Sequence, residues 1–220
     1  MQLASYIDHT LLKPEAQSDH ILKLCQEARE AKFFGVCVNS SWVPTAVAAL
    51  QGSPVQTVSV IGFPLGAMST RAKAFEAEEA ARAGATEIDM VLAIGALKEK
   101  NYSYVENDIR EVVKACGPAK LKVILETGLL NQDEKKIACE LSVKSGAHFV
   151  KTCTGFSIGS ATIDDIKLMR EIVGPHVGVK ASGGIKTPQQ ALALIEAGAT
   201  RIGTSSGLLL IQGQSSTGGY

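Results

Sequence analysis

Short apolar runs alternate with longer amphipathic segments along the whole chain. Runs of this kind, rich in β-branched residues, predict β-strands, and between them apolar residues such as Ile21, Leu24 and Ala28 recur at helical spacing. The sequence therefore predicts strands and helices in alternation. The predicted strands cover residues 6–10, 35–39, 55–63, 87–93, 120–126, 148–154, 177–182 and 201–206.

Three of the predicted helices end in nearly the same sequence. These endings are ARAGATEI (81–88), VKSGAHFV (143–150) and IEAGATRI (195–202). Each has a glycine where a helix end needs a left-handed residue before the chain enters the next strand. The repeat indicates one recurring type of helix-to-strand junction.

Strand–helix alternation with continuously apolar strands is typical of a parallel sheet covered by helices. Eight such units in 220 residues suit a single-domain α/β fold, the (β/α)₈ TIM barrel. A doubly wound open sheet is the alternative, but no G-x-G-x-x-G follows an early strand. We expect a barrel over residues 1–211 and a flexible C-terminal tail over residues 212–220.

The overall charge is balanced, with 22 basic and 22 acidic side chains and a pI near 6.9. This balance gives no footprint for nucleic acid or for an anionic membrane surface, so a small-molecule partner is expected. No apolar run approaches the roughly 18 residues of a membrane span, and the N-terminus lacks the pattern of a secretory signal.

The five cysteines are widely spaced and form neither a C-x-x-C pair nor a cluster with histidine. An odd number of scattered cysteines is typical of a reducing compartment, and the pattern contains no recognisable metal site. The sequence therefore predicts a cytoplasmic protein without a structural metal.

The charged residues Asp89, Lys122, Lys151 and Lys180 all lie within predicted strands. Catalytic residues of a barrel lie at the C-terminal ends of strands, so depth along the strand matters. Lys122 precedes Glu126 by four residues, which places it roughly 13 Å below the rim. It is expected to be structural, either paired with a carboxylate inside the barrel or extended outwards. Lys151 and Lys180 are closer to the mouth and are followed by small residues.

Two inward lysines on adjacent strands, about 4.8 Å apart, would hold their amines close together. We expect that neither Lys151 nor Lys180 easily stays charged, because a neighbouring cation and partial desolvation both lower a lysine pKa. A neutral lysine can form a Schiff base with a carbonyl, without a metal or an organic cofactor. Asp89, on the fourth strand, can point at the same centre and shuttle protons. The alternative is a structural ion pair of Asp89 with Lys180, with Lys151 reaching the rim.

Two glycine- and serine-rich segments follow the seventh and eighth strands, SGGIKTP (182–188) and GTSSG (203–207). Thr187 and Pro188 are a suitable N-cap and first helical residue, and Ser205–Ser206 can open a short final helix. Barrels commonly bind phosphate at this point through backbone N–H groups. We expect a phosphate site there, with Gly155 completing it. The alternative is that both segments are simply tight turns.

Seven motifs in order resemble the deoxyribose-phosphate aldolase family. They are IDHTLLKP (7–14), GFPLG (62–66), EIDMVLAIGALK (87–98), LKVILETG (121–128), FVKTCTGF (149–156), VKASGGI (179–185) and GTSSG (203–207). The resemblance implies a (β/α)₈ barrel and a class I aldolase that needs neither metal nor cofactor. It also implies reversible cleavage of 2-deoxy-D-ribose 5-phosphate to D-glyceraldehyde 3-phosphate and acetaldehyde, by a homo-oligomer that is a dimer or tetramer.

By the same resemblance, Lys151 is the Schiff-base lysine, and Lys180 lowers its pKa and takes part in proton transfer. Asp89 donates and accepts protons through water. Tyr220, at the end of the tail, assists proton transfer at the acetaldehyde carbon, although a terminal tyrosine without the resemblance would indicate only a disordered end.

The resemblance also implies the residues that bind the substrate. Asp8 and Thr10 line the site of the substrate hydroxyl, with Cys37 nearby. The phosphate is held largely by backbone N–H groups of Gly155, Gly183, Gly184, Ser205 and Ser206.

Two other functions remain open from the residues alone. A barrel of this kind could act as a lyase or isomerase on a different sugar phosphate, because one fold hosts many chemistries. It could also bind a sugar phosphate as a sensor without catalysis. The paired lysines argue against a sensor, since a binding protein gains nothing from a lysine that loses its charge.

Overall fold

The computed structural model describes residues 3–216, which form a closed barrel of parallel strands. Each strand pairs with the next one along the chain, and the last strand closes onto the first, with Ile202 opposite Ile7. The strands are β1 Ile7–Leu11, β2 Gly35–Asn39, β3 Gln56–Ile61, β4 Glu87–Val91, β5 Lys120–Ile124, β6 Phe149–Lys151, β7 Gly178–Ser182 and β8 Arg201–Thr204.

Helices connect the strands and cover the outside of the barrel. They are α1 Ser18–Ala31, α2 Val43–Ala49, α3 Thr70–Arg82, α4 Ile94–Lys98, α5 Tyr102–Ala115, α6 Gln132–Lys144, α7 Ile163–Val173, α8 Pro188–Glu196 and α9 Gly207–Ile211. The predicted TIM barrel is confirmed, and pairing of β8 with β1 excludes the open sheet. Over residues 3–216, no helix has both the length and the apolar character that a membrane crossing requires.

Several strands end earlier than the sequence predicts. β3 ends at Ile61, β5 at Ile124 and β6 at Lys151, two to three residues before the predicted ends at 63, 126 and 154. Beyond β5 and β6 the backbone turns through positive φ values, at Glu126 (58°) and Gly155 (85°). The apolar or small residues that extend the predicted strands instead form the loops of the barrel mouth.

The predicted helix-to-strand junctions are confirmed. Gly84, Gly146 and Gly198 have φ values of 103°, 89° and 118°, a region that residues with a Cβ rarely adopt. Each glycine follows the end of its helix and lets the chain turn into β4, β6 or β8.

Side chains alternate between two different environments along the strands. Those that point outward, such as Ile88, Val150 and Ile202, are fully buried in an apolar layer between the sheet and the helices. Those that point into the barrel include charged residues, and Asp89 follows Ile88 in this alternation. The main hydrophobic core therefore lies outside the barrel wall, while the barrel interior holds charge.

Interior glycines make room for the long side chains inside the barrel. A Cβ on Gly178 would lie 2.1 Å from the ring of Phe149. A Cβ on Gly203 would lie 3.0 Å from Cε of Lys180. These two strands therefore carry glycine where a neighbouring strand sends a large residue across the centre.

Candidate active site

Two lysines and one aspartate meet inside the upper part of the barrel. Lys151 and Lys180 are directly opposite each other in the register of β6 and β7. Their ammonium groups bond the same oxygen, Oδ2 of Asp89, at 2.9 and 2.8 Å. Lys151 is 3% exposed and the other two are fully buried. The structure therefore brings together the three side chains for which the sequence predicts a shared centre.

Lys122 approaches the same carboxylate from below. Its Nζ lies 2.6 Å from Oδ1 of Asp89 and 2.7 Å from Oε2 of Glu87, and the side chain is fully buried. The expected pairing of Lys122 with a carboxylate inside the barrel is confirmed. Asp89 thus accepts hydrogen bonds from three ammonium groups.

A second aspartate and an arginine extend this cluster around the barrel closure. One carboxylate oxygen of Asp8, on β1, pairs with Lys180 at 2.5 Å, and the other pairs with Arg201 at 2.9 Å. Arg201 also bonds Glu87 at 2.7 Å, and its guanidinium lies 3.3 Å from the centre of the Phe34 ring. The charged side chains therefore form one continuous buried network across β4 to β8 and β1.

This network holds more positive than negative charge when every member is ionised. Most of its cations contact two carboxylates, but within residues 3–216 Lys151 has a single carboxylate partner, Asp89, whose oxygen it shares with Lys180. Lys151 is therefore the least compensated cation. The members are three carboxylates, Asp8, Glu87 and Asp89, against four cations, Lys122, Lys151, Lys180 and Arg201.

The network shifts the pKa of two of its members in opposite directions. Burial opposes the charge of Asp89, but Lys122, Lys151 and Lys180 outweigh it and hold the pKa of Asp89 well below its usual value. Burial likewise opposes the charge of Lys180, but Asp8 and Asp89 raise its pKa well above the ordinary value. The prediction that neither lysine easily stays charged is therefore wrong for Lys180, because two carboxylates face it as well as one lysine.

The residues predicted to contact the substrate hydroxyl lie beside this network. Cys37 on β2 is fully buried, and burial raises the pKa of its thiol. The hydroxyl of Thr10 donates to the backbone oxygen of Asp8 at 2.8 Å. Lys180 and Arg201 each bond one of the two carboxylate oxygens of Asp8. The contact of Asp8 with a substrate hydroxyl stays a prediction.

The loops that carry the predicted phosphate ligands pack against one another at the mouth. The loop after β6, which contains Gly155, reaches the loop after β7, where Ala161 N–H donates to the oxygen of Gly183 at 3.0 Å. A Cβ on Gly184 would lie 2.6 Å from Cβ of Ser160. Glycine at this position therefore allows the two loops to touch.

The two predicted serines follow β8. Ser206 precedes α9, and its backbone N–H donates to the hydroxyl of Thr204 at 3.0 Å. The Thr204 hydroxyl lies 3.4 Å from the oxygen of Ile185, in the loop after β7. Ser205 is exposed. The predicted phosphate residues after β6, β7 and β8 thus lie on loops that contact one another in sequence.

Tyr220 lies outside the residues that the structure describes. The last described residue, Ser216, donates its backbone N–H to the oxygen of Lys186 at 2.8 Å. Lys186 belongs to the loop that carries Gly183 and Gly184, so residue 216 lies beside one side of the barrel mouth.

Two members of the network, Glu87 and Arg201, are missing from the sequence prediction. A signal for both is present. Glu87 precedes Asp89 by two residues on β4 and so shares its inward face, and Arg201 begins β8 with its charge among apolar residues. Glu87 could have been predicted from its spacing of two residues from Asp89, because residues with this spacing point to the same face of a strand.

Over residues 3–216, no three histidine, cysteine, aspartate or glutamate side chains are arranged as metal ligands. All five cysteines are buried and free.

Comparison with known proteins finds close relatives over the full length of the chain. Residues 3–213 match the sequence family described as DeoC/LacD family aldolase. A deoxyribose-phosphate aldolase of Bdellovibrio bacteriovorus is 58% identical over 220 residues, which cover 100% of each chain.

Solved structures agree with the barrel. A protein from Coccidioides immitis superposes with a TM-score of 0.94 at 43% identity, covering 96% of this chain and 85% of its own. The tetrameric deoxyribose phosphate aldolase from Aeropyrum pernix gives a TM-score of 0.89 at 32% identity, covering 96% of this chain and 89% of its own.

Proposed function

The chain belongs to the DeoC/LacD family of aldolases, and from this membership we propose that it uses Lys151 as a Schiff-base lysine to cleave 2-deoxy-D-ribose 5-phosphate. The products are D-glyceraldehyde 3-phosphate and acetaldehyde, and the reaction is reversible. The relative that is 58% identical is a deoxyribose-phosphate aldolase. The observation that carries the mechanism is the sharing of one Asp89 oxygen by Lys151 and Lys180.

The charge balance of the network supports a neutral Lys151. Loss of one proton leaves three carboxylates facing three cations, and buried charge is costly unless it is paired. Lys180 holds its proton between Asp8 and Asp89, so the proton leaves from Lys151. Lys180 therefore acts as a fixed cation beside a free amine, which is the form that attacks a carbonyl.

Covalent chemistry then follows at the substrate aldehyde. The amine of Lys151 adds to C1, and loss of water gives an iminium. The iminium withdraws electrons from the C2–C3 bond, which breaks as the C3 hydroxyl loses its proton. D-glyceraldehyde 3-phosphate leaves, and the remaining enamine takes a proton at C2. Hydrolysis of the resulting iminium releases acetaldehyde and restores the amine.

Asp89 is placed to move these protons through water. Its pKa is held well below the usual value while the nitrogens of Lys122, Lys151 and Lys180 are all cationic. As the cationic iminium on Lys151 becomes the neutral enamine, one of these cations is lost, and the proton affinity of Asp89 rises. Its basicity therefore increases as the C2–C3 bond breaks, which is the step in which the C3 hydroxyl loses its proton.

The substrate phosphate is proposed to bind at the opposite end of the pocket from the reacting aldehyde. Gly155, Gly183, Gly184 and Ser205 offer backbone N–H groups there. Ser206 contributes its hydroxyl, because its own N–H already bonds Thr204. Asp8, Thr10 and Cys37 are proposed to border the site of the substrate hydroxyl. Mutual packing of the loops after β6, β7 and β8 supports one phosphate pocket rather than three separate turns.

Turnover should survive exhaustive treatment with a chelator. The reason is that the iminium, rather than a Lewis-acidic metal, withdraws the electrons. The measurement is release of D-glyceraldehyde 3-phosphate from 2-deoxyribose 5-phosphate, followed with a coupled dehydrogenase after dialysis against EDTA. The coupling enzyme is assayed separately as a control. Loss of turnover that zinc restores would contradict the mechanism, and no release before dialysis would contradict the substrate.

Deleting Tyr220 should slow turnover by about 10²-fold, as expected for loss of a group that transfers a proton. Ser216 lies beside the Gly183–Gly184 loop, and four further residues span at most about 14 Å. The unfolding midpoint should not change. Exchange of acetaldehyde protons with deuterated water, followed by NMR, measures the affected step. The variant Tyr220→Phe keeps the ring without the hydroxyl, and wild-type exchange in this variant would contradict a role for the phenol.

We also propose an oligomeric state and a cellular location. A homo-oligomer, either a dimer or a tetramer, is supported by the tetrameric relative from Aeropyrum pernix. A cytoplasmic location is supported by the five free, buried cysteines, because such thiols are typical of a reducing compartment.

A further inference from the structure

Glu126 differs from the other buried carboxylates of the described chain. Asp8, Glu87 and Asp89 belong to the charged network, and Asp108 pairs with Lys73 at 2.7 Å. Asp165 likewise pairs with a lysine. Glu126 is 2% exposed, and no lysine, arginine or histidine of residues 3–216 forms an ion pair with it. A buried carboxylate without a cation is costly unless hydrogen bonds satisfy it.

Within residues 3–216, the hydrogen bonds to the carboxylate of Glu126 all come from Thr154, in the neighbouring segment after β6. The Thr154 hydroxyl donates to Oε2 at 2.5 Å. The Thr154 backbone N–H lies 3.3 Å from Oε1 and 3.4 Å from Oε2. One residue thus directs both of its donors at one carboxylate.

The backbone at Glu126 is also unusual. Its φ and ψ of 58° and 61° lie in the left-handed region, which a residue with a Cβ enters only at a cost. Within residues 3–216 the other non-glycine residues with positive φ are Lys32 and Lys100, which are exposed and lie just beyond helix ends. Buried strain of this kind is concentrated at functional sites.

The contact with Glu126 fixes the backbone around Gly155. The Thr154 hydroxyl uses its hydrogen in the bond to Glu126, so the lone pairs of the hydroxyl oxygen are free to accept. Phe156 N–H donates to that oxygen at 3.1 Å. The N–H groups before and after Gly155 are therefore both held. Gly155 itself has a φ of 85°, and its own N–H lies between these two fixed donors.

The same arrangement recurs after β8. Ser206 N–H donates to the hydroxyl of Thr204 at 3.0 Å, two residues back, as Phe156 does to Thr154. The Thr204 hydroxyl faces a backbone oxygen, whereas the Thr154 hydroxyl faces a carboxylate. Two matching threonine turns thus flank the proposed phosphate pocket, and the one beside Gly155 is the one fixed by a buried acid.

We infer that Glu126, acting through Thr154, is a positioning residue that fixes the Gly155 N–H for the phosphate of the substrate. This inference rests on the proposed function. Glu126 contributes as a hydrogen-bond acceptor, since a negative charge near the phosphate would by itself weaken binding. It does not touch the reacting atoms, because its oxygens face Thr154 and its side chain is buried.

Removing the Thr154 hydroxyl tests this inference. Thr154→Val keeps the shape of the side chain but removes the donor to Glu126 and the acceptor for Phe156. The KM for 2-deoxyribose 5-phosphate should rise about tenfold with little change in kcat, as expected for one lost hydrogen bond of positioning. For unphosphorylated 2-deoxyribose, kcat/KM should stay close to the wild-type value. The preference for the phosphorylated sugar should therefore fall about tenfold. Thr154→Ala serves as the second variant if valine does not fit.

Conservative variants separate positioning from general stability. Thr154→Ser retains the hydroxyl and should restore the KM. Glu126→Gln should leave the KM at its wild-type value, because the single oxygen Oε2 already accepts both the hydroxyl and the N–H of Thr154. The matched control is Thr70→Val, which removes another hydroxyl bond to a buried carboxylate, that of Asp108 at 2.7 Å, away from the pocket. It should lower stability without changing the preference for the phosphorylated sugar.

Inorganic phosphate provides a readout that does not depend on the reaction. Calorimetry should give a dissociation constant about tenfold higher for Thr154→Val than for the wild type and for Thr154→Ser. Equal losses on both sugars, or unchanged phosphate binding in folded Thr154→Val, would overturn the inference. Loss of phosphate binding in Glu126→Gln would overturn the inference that Glu126 acts as a hydrogen-bond acceptor rather than through its charge. Failure of the wild-type protein to cleave 2-deoxyribose 5-phosphate would count against the proposed function instead, while the phosphate titration would still decide the positioning role.

Discussion

Replacing Lys151 with methionine should reduce turnover of 2-deoxyribose 5-phosphate by about 10⁴-fold or more, on the scale seen when a covalent nucleophile is removed. No other amine can take its place, because Lys122 and Lys180 are each held by two carboxylates. The variant should fold as well as the wild type. Its network has three carboxylates facing three cations, the same balance as with a neutral Lys151. Single-turnover kinetics and urea unfolding measure the two effects.

Two further variants separate the chemistry of Lys151 from its charge. Lys151→Arg is always charged and cannot form an iminium, so it should be as inactive as the methionine variant. Lys73→Met removes another buried lysine and leaves Asp108 without its cation. This should lower the unfolding free energy by about 3–5 kcal/mol. The folded fraction of that variant should retain its kcat. Substantial turnover in Lys151→Arg, or a large loss of stability in Lys151→Met, would contradict the assigned role.

Replacing Asp89 with asparagine should lower both activity and stability. Activity should fall by about 10²- to 10⁴-fold, because the group that shuttles protons is lost. The unfolding free energy should fall by about 3–5 kcal/mol, because the buried cations Lys122 and Lys180 lose a shared counter-charge. Rate measurements and urea unfolding at neutral pH test the two losses. A stable variant with reduced activity would mean that the lysines find other partners.

The same substitution should change how stability depends on pH. The pKa of Asp89 is lower in the folded protein than in the unfolded chain. Its contribution is therefore fully present above an unfolded pKa of about 3.9 and is lost as the pH falls through the folded value. The wild type should lose more unfolding free energy than Asp89→Asn between about pH 5 and pH 2. Parallel curves for the two proteins would contradict this contribution.

The barrel and the two lysines near its mouth could be predicted because each depends on local pattern. Strand spacing and the glycines at 84, 146 and 198 mark the units. A period of two along β6 and β7 then places Lys151 and Lys180 on the inner face. These inferences need no knowledge of how distant strands meet.

The charge state of Lys180 could not be predicted in the same way. Its partner Asp8 lies 172 residues away in the chain and comes near only because β8 closes onto β1. The argument from adjacent strands counts the neighbouring Lys151 but misses the carboxylate across the closure. The left-handed turn at Glu126 is equally hidden, because glutamate gives no local signal for a positive φ.

Trapping the covalent intermediate is the most direct test of the central claim. The protein is incubated with acetaldehyde and borohydride, digested, and analysed by peptide mass spectrometry. We predict a reduced two-carbon adduct on Lys151, and its absence from Lys122 and Lys180. No adduct on Lys151, or an adduct on Lys180 instead, would contradict the assignment of Lys151 as the Schiff-base lysine.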